Sequence, residues 1–132
     1  MFAFVKNDNG ENNPIIEMKP ATAATYAVGD TLKVDSSTGY VAKTYGTNKP
    51  DFICACDVPT AATAGDKIAV NPVYAGQTWQ TTFSADGSAL KAGAKVTIAT
   101  DSKQVTATTT NGVATLVTNG AATNGMALVK FE

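Results

Sequence analysis

The chain has 132 residues, 44% of them hydrophobic, enough for one domain or two small lobes around a moderate core. Its 10 basic residues are all lysine and meet 11 acids at a formal net charge of −1, spread singly along the sequence. That excludes the basic, arginine-forked patch of a nucleic-acid binder. Histidine is absent, which removes Ser-His-Asp and Cys-His nucleophiles and imidazole-held zinc together.

Alanine and threonine dominate, and leucine is scarce. Threonine and valine suit a pleated, half-buried surface, and no stretch carries the Leu/Glu/Lys register of an amphipathic helix. The composition predicts an all-β fold. Short antiparallel strands would form a barrel or sandwich.

In chain order, the opening Met1 to Gly10 lacks the charged start and the long apolar run of a signal peptide. No apolar stretch reaches bilayer-spanning length. The expectation is a protein made and folded in the cytoplasm, with no membrane partner. A short strand from Phe2 to Lys6, a loop rich in turn signals from Asn7 to Pro14, and a second strand from Ile15 to Met18 follow. Residues 1–20 thus read as an extended arm or an edge hairpin.

Beyond Tyr26, strands alternate with turn chemistry. Thr31-Leu32-Lys33-Val34 alternates apolar and polar, Asp35 to Gly39 turns, and Tyr40 to Tyr45 returns as a hairpin. Further strands are predicted at Phe52–Val58, Lys67–Val73 and Gln77–Phe83, and Ala85-Asp86-Gly87-Ser88 turns again. The second half then replays the first. The offset from Gly29 to Gly93 also relates Leu32 to Val96, Val34 to Ile98, Val41 to Val105 and Thr44 to Thr108. A slightly shorter offset relates Ala61–Gly65 to Ala121–Gly125, Ile68 to Leu128 and Ile53 to Val113, with the length difference assigned to the loop Gly46–Pro50. The chain therefore divides into the arm or hairpin at 1–20, a first β unit at 21–74, and a connecting strand with a second unit at 75–132. All three could form one fused domain. On this reading the N-terminal segment and the Trp79 strand stand outside the repeat.

Chemistry-bearing residues are few. Asp30, Asp35, Asp66, Asp86 and Asp101 sit where Asx turns place them, so catalytic carboxylate pairs are not expected. Asp86-Gly87-Ser88 and Asn7-Asp8-Asn9-Gly10 supply oxygens but lack the closing glutamate of a calcium loop. Cys54 and Cys56, two apart on a strand, suit a disulfide poorly and read as small buried or half-buried hydrophobes. Trp79 is the sole tryptophan. Core filler is the favoured reading; an exposed ring would instead be a sugar platform or interface anchor. No enzyme activity, metal or cofactor is expected.

Several stretches resemble the small head decoration proteins of tailed bacteriophages: Val5-Lys6-Asn7-Asp8-Asn9-Gly10 with Pro14-Ile15-Ile16-Glu17, then Thr47–Ile53 and Ala64–Val70, and most clearly Thr81–Val96. The resemblance implies a non-catalytic structural virion protein on the outer surface of the capsid. Its partner would be the major capsid protein, bound either as a homotrimer at symmetry positions or as a monomer. Phe2, Phe4, Val5, Ile15, Ile16 and Trp79 are the candidate contacts, with the N-terminal segment able to add a strand to a capsid edge. The alternative is a carbohydrate-binding or adhesive β-domain on a phage fibre or bacterial surface, for which an exposed Trp79 beside Tyr74 would be the sign.

Overall fold

The computed structural model describes residues 1–10 and 15–132; the predicted Asn-Pro turn before Ile15 falls outside them. Among the described residues there is no helix, only short strands, so the all-β expectation holds. In chain order these are β1 (Ala3–Asn7), β2 (Glu17–Pro20), β3 (Ala24–Tyr26), β4 (Thr31–Val34), β5 (Val41–Lys43) and β6 (Phe52–Cys54). Then come β7 (Thr60–Ala62), β8 (Lys67–Pro72), β9 (Gln77–Thr82), β10 (Lys95–Val96), β11 (Ala114–Leu116) and β12 (Met126–Lys130).

Two five-stranded antiparallel sheets result. The N-terminal one has the order β2-β8-β6-β4-β5, and the C-terminal one β1-β9-β12-β11-β10; β3 and β7 form a separate two-stranded ribbon. Local chemistry sets the hairpins. In the β4–β5 turn, the Asp35 carboxylate accepts the Ser37 N–H and hydroxyl, and Gly39 adopts φ +75° and donates its N–H to the Asp35 carbonyl. Val34 then faces Val41 across the strands. The predicted strand Phe52–Val58 is shorter, ending at Cys54; the Ala55 N–H still bonds to Ala69 O, after which the chain leaves the sheet with Val58 exposed.

Each sheet curls until the residue after its first core strand touches its far side at one parallel bridge. Ala21 meets Val41 in the first sheet, and Phe83 meets Val105 in the second. Neither sheet closes into a continuous ladder. Each encloses its own core. Tyr26, Leu32, Val41, Ile68 and Val70 fill the N-terminal one; Trp79, Phe83, Val96, Val129 and Phe131 fill the C-terminal one. Fully burying such side chains contributes roughly 1.5–3 kcal/mol apiece, so each core is substantial for its size.

The two units share one hydrogen-bond scheme. The Ala21 N–H bonds to Asp66 O and the Gly65 N–H to Ala21 O; correspondingly, Phe83 N–H bonds to Gly125 O and Asn124 N–H to Phe83 O. Gly29 N–H donates to Cys54 O as Gly93 N–H does to Leu116 O, and Ala55 N–H to Ala69 O as Val117 N–H to Leu128 O. Val34 facing Val41 has its match in Ile98 facing Val105. The early part of the sequence alignment therefore coincides with the bonding. The later part slips, by one residue around Ile68 and by two at Ile53. Bonding pairs Gly65 with Asn124, both at positive φ, and Val70 with Val129, so Ile68 corresponds to buried Ala127 rather than to Leu128. Ile53 likewise corresponds to Thr115, not Val113.

Bonding also extends the repeat beyond its expected bounds. Glu17 pairs with Val70 just as Trp79 pairs with Val129, so β2 and β9 are equivalent strands. The Trp79 strand is thus the first strand of the second unit. β1 has no counterpart among the described residues, and β3, β5 and β7 correspond to stretches of the second unit that are not strands.

The seam between units is specific. Ile53 points out of its own sheet and joins the C-terminal core. Gly46 and Ile98 exchange both main-chain hydrogen bonds, at 2.7 and 3.0 Å, and the Thr31 N–H and hydroxyl both donate to Ser102 O.

Candidate functional site

The N-terminal strand is engaged within the chain. β1 pairs with β9 through Ala3–Gln80, Phe4–Trp79, Lys6–Thr78 and Asn7–Gln77, with a bulge at Val5. The Phe4 ring stands edge-on to Trp79 at 5.6 Å, and Phe2 rests on Phe131 at 5.5 Å while its N–H bonds to Gly29 O at 3.1 Å. Of the candidate contacts, Phe2 and Trp79 are therefore core residues: Trp79 is 1% exposed, and a partner could not reach either side chain without opening the sheet. Phe4 is half-buried, and Val5 is turned outward by the bulge. Ile15 and Ile16, at 64% and 67% exposure, are the candidates that a partner can reach most freely.

Those isoleucines lead into an open edge. Among the described residues β2 has β8 as its only neighbouring strand, whereas the equivalent strand β9 is covered on that side by β1. Met18 is 57% exposed on this edge. Glu17 and Lys19 share the opposite face, 3.3 Å apart, with the Lys19 ammonium over the Phe52 ring at 5.6 Å.

The second notable group is Asp30. It is one of the acids at turn positions in the sequence, and it closes its turn by accepting the Ala27 N–H at 2.9 Å. It is nevertheless fully buried, because the Lys43 and Lys103 side chains from the two units fold over it, at 3.5 and 3.6 Å. Oδ1 accepts no hydrogen bond; the Lys103 ammonium is near it but beyond bonding distance. The Met1 amino group lies in the same field, and burial holds its pKa below the ordinary value. Nothing in the local sequence separates Asp30 from Asp66, which makes the same turn bond to Thr63 in the open. Only the folding of the second unit over it does.

The oxygens of the Asn7–Gly10 turn face a cleft of about 190 Å³ lined by Asn7, Asp8, Asn9, Ala75 and Gly76. Lys130 takes both Asp8 carboxylate oxygens at 2.8 and 2.7 Å, and its own pKa is raised by that contact. Asp86 bonds the Ser88 N–H as an Asx turn. Cys54 and Cys56 are free and buried, and burial pushes the Cys54 thiol up to about 12. A thiol in that state is a packing group rather than a nucleophile.

The chain matches no family model, and no curated protein is similar to it.

Proposed function

We propose that the chain is a structural protein of a bacteriophage virion, which binds the outer surface of the capsid and reinforces it, with the major capsid protein as partner. It is made in the host cytoplasm and acts without catalysis. The observation that supports this reading over a sugar-binding module is the burial of Trp79 under Phe4. The residue that would have been a stacking platform is core, and the exposed apolar side chains Ile15, Ile16 and Met18 gather on a sheet edge instead. Cementing a shell needs area and many copies rather than a deep pocket, and avidity multiplies weak contacts.

The test is direct. Virions from the source of the gene, purified and quantified by mass spectrometry, should carry this chain in multiples of the capsid symmetry. Purified chain added to stripped capsids should raise the temperature at which they release DNA. Absence from virions, together with no binding to stripped capsids, rejects the proposal, and retention on a glycan array would transfer support to the adhesive alternative.

A further inference from the structure

We infer that two copies of this chain pair through β2, antiparallel about a two-fold axis at Met18. The inference concerns an edge rather than the capsid surface, and it stands independently of the function proposed above.

Three observations carry it. First, the unit equivalence shows that this edge position accepts a strand. Transposing the β1–β9 register onto the N-terminal unit lays a strand along Ile15, Ile16, Glu17 and Met18, the stretch where the exposed isoleucines and Met18 lie. The chain's own β1 is already committed to β9, and no other described strand of the chain lies on this edge.

Second, the free backbone groups are self-complementary. The Ala21 N–H bonds to Asp66 O across from β8, and Glu17 and Lys19 share its side of the strand. By alternation, the main-chain groups of Ile16, Met18 and Pro20 point to the open edge. In an antiparallel pair centred on Met18, the two Met18 residues exchange N–H···O bonds, and each Ile16 N–H meets the partner copy's Pro20 carbonyl. Pro20 has no N–H to leave stranded, as befits an edge position.

Third, this register pairs opposite charges. Glu17 of one copy faces Lys19 of the other at the non-hydrogen-bonded positions, where side chains approach most closely. Centring the pair on Glu17 would oppose two carboxylates. The position that holds Phe4 against Trp79 in the covered unit thus holds a lysine against Glu17 in the paired one. A strand pair of this length buries less than the roughly 1,200 Å² of a stable complex, so the dimer is weak in solution and favoured where copies are held side by side.

Sedimentation equilibrium of the full chain up to about 1 mM should show mass rising from one chain to two. Lys19→Glu and Glu17→Lys should each weaken this at least about tenfold by opposing like charges. Mixing the two variants should restore pairing, as should the double swap within one chain. A merely destabilising substitution would not behave in that way, and an unchanged Trp79 emission spectrum checks the fold. Met18→Cys should cross-link to itself under mild oxidant, while Val58→Cys, more exposed but in the loop between β6 and β7, should not. Constant one-chain mass, a three-chain species, or no rescue on mixing overturns the inference. So does cross-linking of Met18→Cys to capsid protein in place of a second copy.

Discussion

The two units of this molecule use one hydrogen-bond scheme to hold differently built interiors. In the C-terminal unit the first strand brings Trp79, and Phe83 follows at the bridge. In the N-terminal unit the same positions hold Glu17 and Ala21, and the bulk comes instead from Tyr26, whose hydroxyl donates to Thr22 O and lies 3.3 Å from Val41 O. The covering strand follows the same division. β1 lies over the edge that carries Trp79, and the edge that carries Glu17 stays open among the described residues. Main-chain topology is thus set by turns and register. Which edge is sealed depends on where the large apolar side chains fall.

Substitutions at equivalent positions probe that division most sharply. Trp79→Ala should destabilise by about 3–5 kcal/mol in urea unfolding, whereas Glu17→Ala should stay within about 0.5 kcal/mol. Trp79→Phe should cost only about 1 kcal/mol, because the buried indole N–H has no hydrogen-bond partner to lose. Equal losses at 79 and 17 would contradict the assignment of the core.

Gly29 and Gly93 come next. Both have positive φ, but a Cβ on Gly29 would stand 2.4 Å from the Met1 Cβ and 2.8 Å from the Phe2 nitrogen, while one on Gly93 meets nothing within 4 Å. Alanine should therefore cost about 3 kcal/mol at 29, where it also displaces β1, and about 1 kcal/mol at 93. Thermal melts of the two variants give the difference.

Asp30 has Ala94 as its equivalent, so the C-terminal unit does without a buried carboxylate there. Asp30→Ala should cost about 2 kcal/mol, discounted for the partial exposure of both lysines. It should also speed hydrogen exchange at the Thr31 amide, which bonds across the seam to Ser102. Unchanged exchange would mean that the seam holds without it.

The smallest effect is that of acid. Hydrogen bonds from Ser37, Thr63 and Ser88 hold the exposed carboxyls of Asp35, Asp66 and Asp86 below their ordinary value of 3.8. A depressed folded-state pKa stabilises above the unfolded value, and that contribution is lost as pH falls through the folded one. The melting temperature should be flat from about pH 7 to 5 and decline below about pH 4, with a shallower decline in Asp66→Asn. A decline beginning near neutrality would point to other groups.

The sequence by itself determined the all-β class, the β4–β5 hairpin and its counterpart, and the burial of both cysteines, because alternation and turn residues act over a few positions. The later repeat aligns one or two residues off in sequence, since an Ala/Thr-rich chain aligns with itself at neighbouring offsets and only burial and pairing tell the faces apart. The sequence also left β2 and β9 unmatched, because Glu17 and Trp79 share nothing but a place in a ladder. Tertiary structure alone decided that Asp30 is buried, that Ile53 serves the other unit's core, that β1 is bound within the chain, and that β2 keeps an open edge among the described residues. Each depends on contacts between distant segments, and the energy of such contacts is not written in either segment by itself.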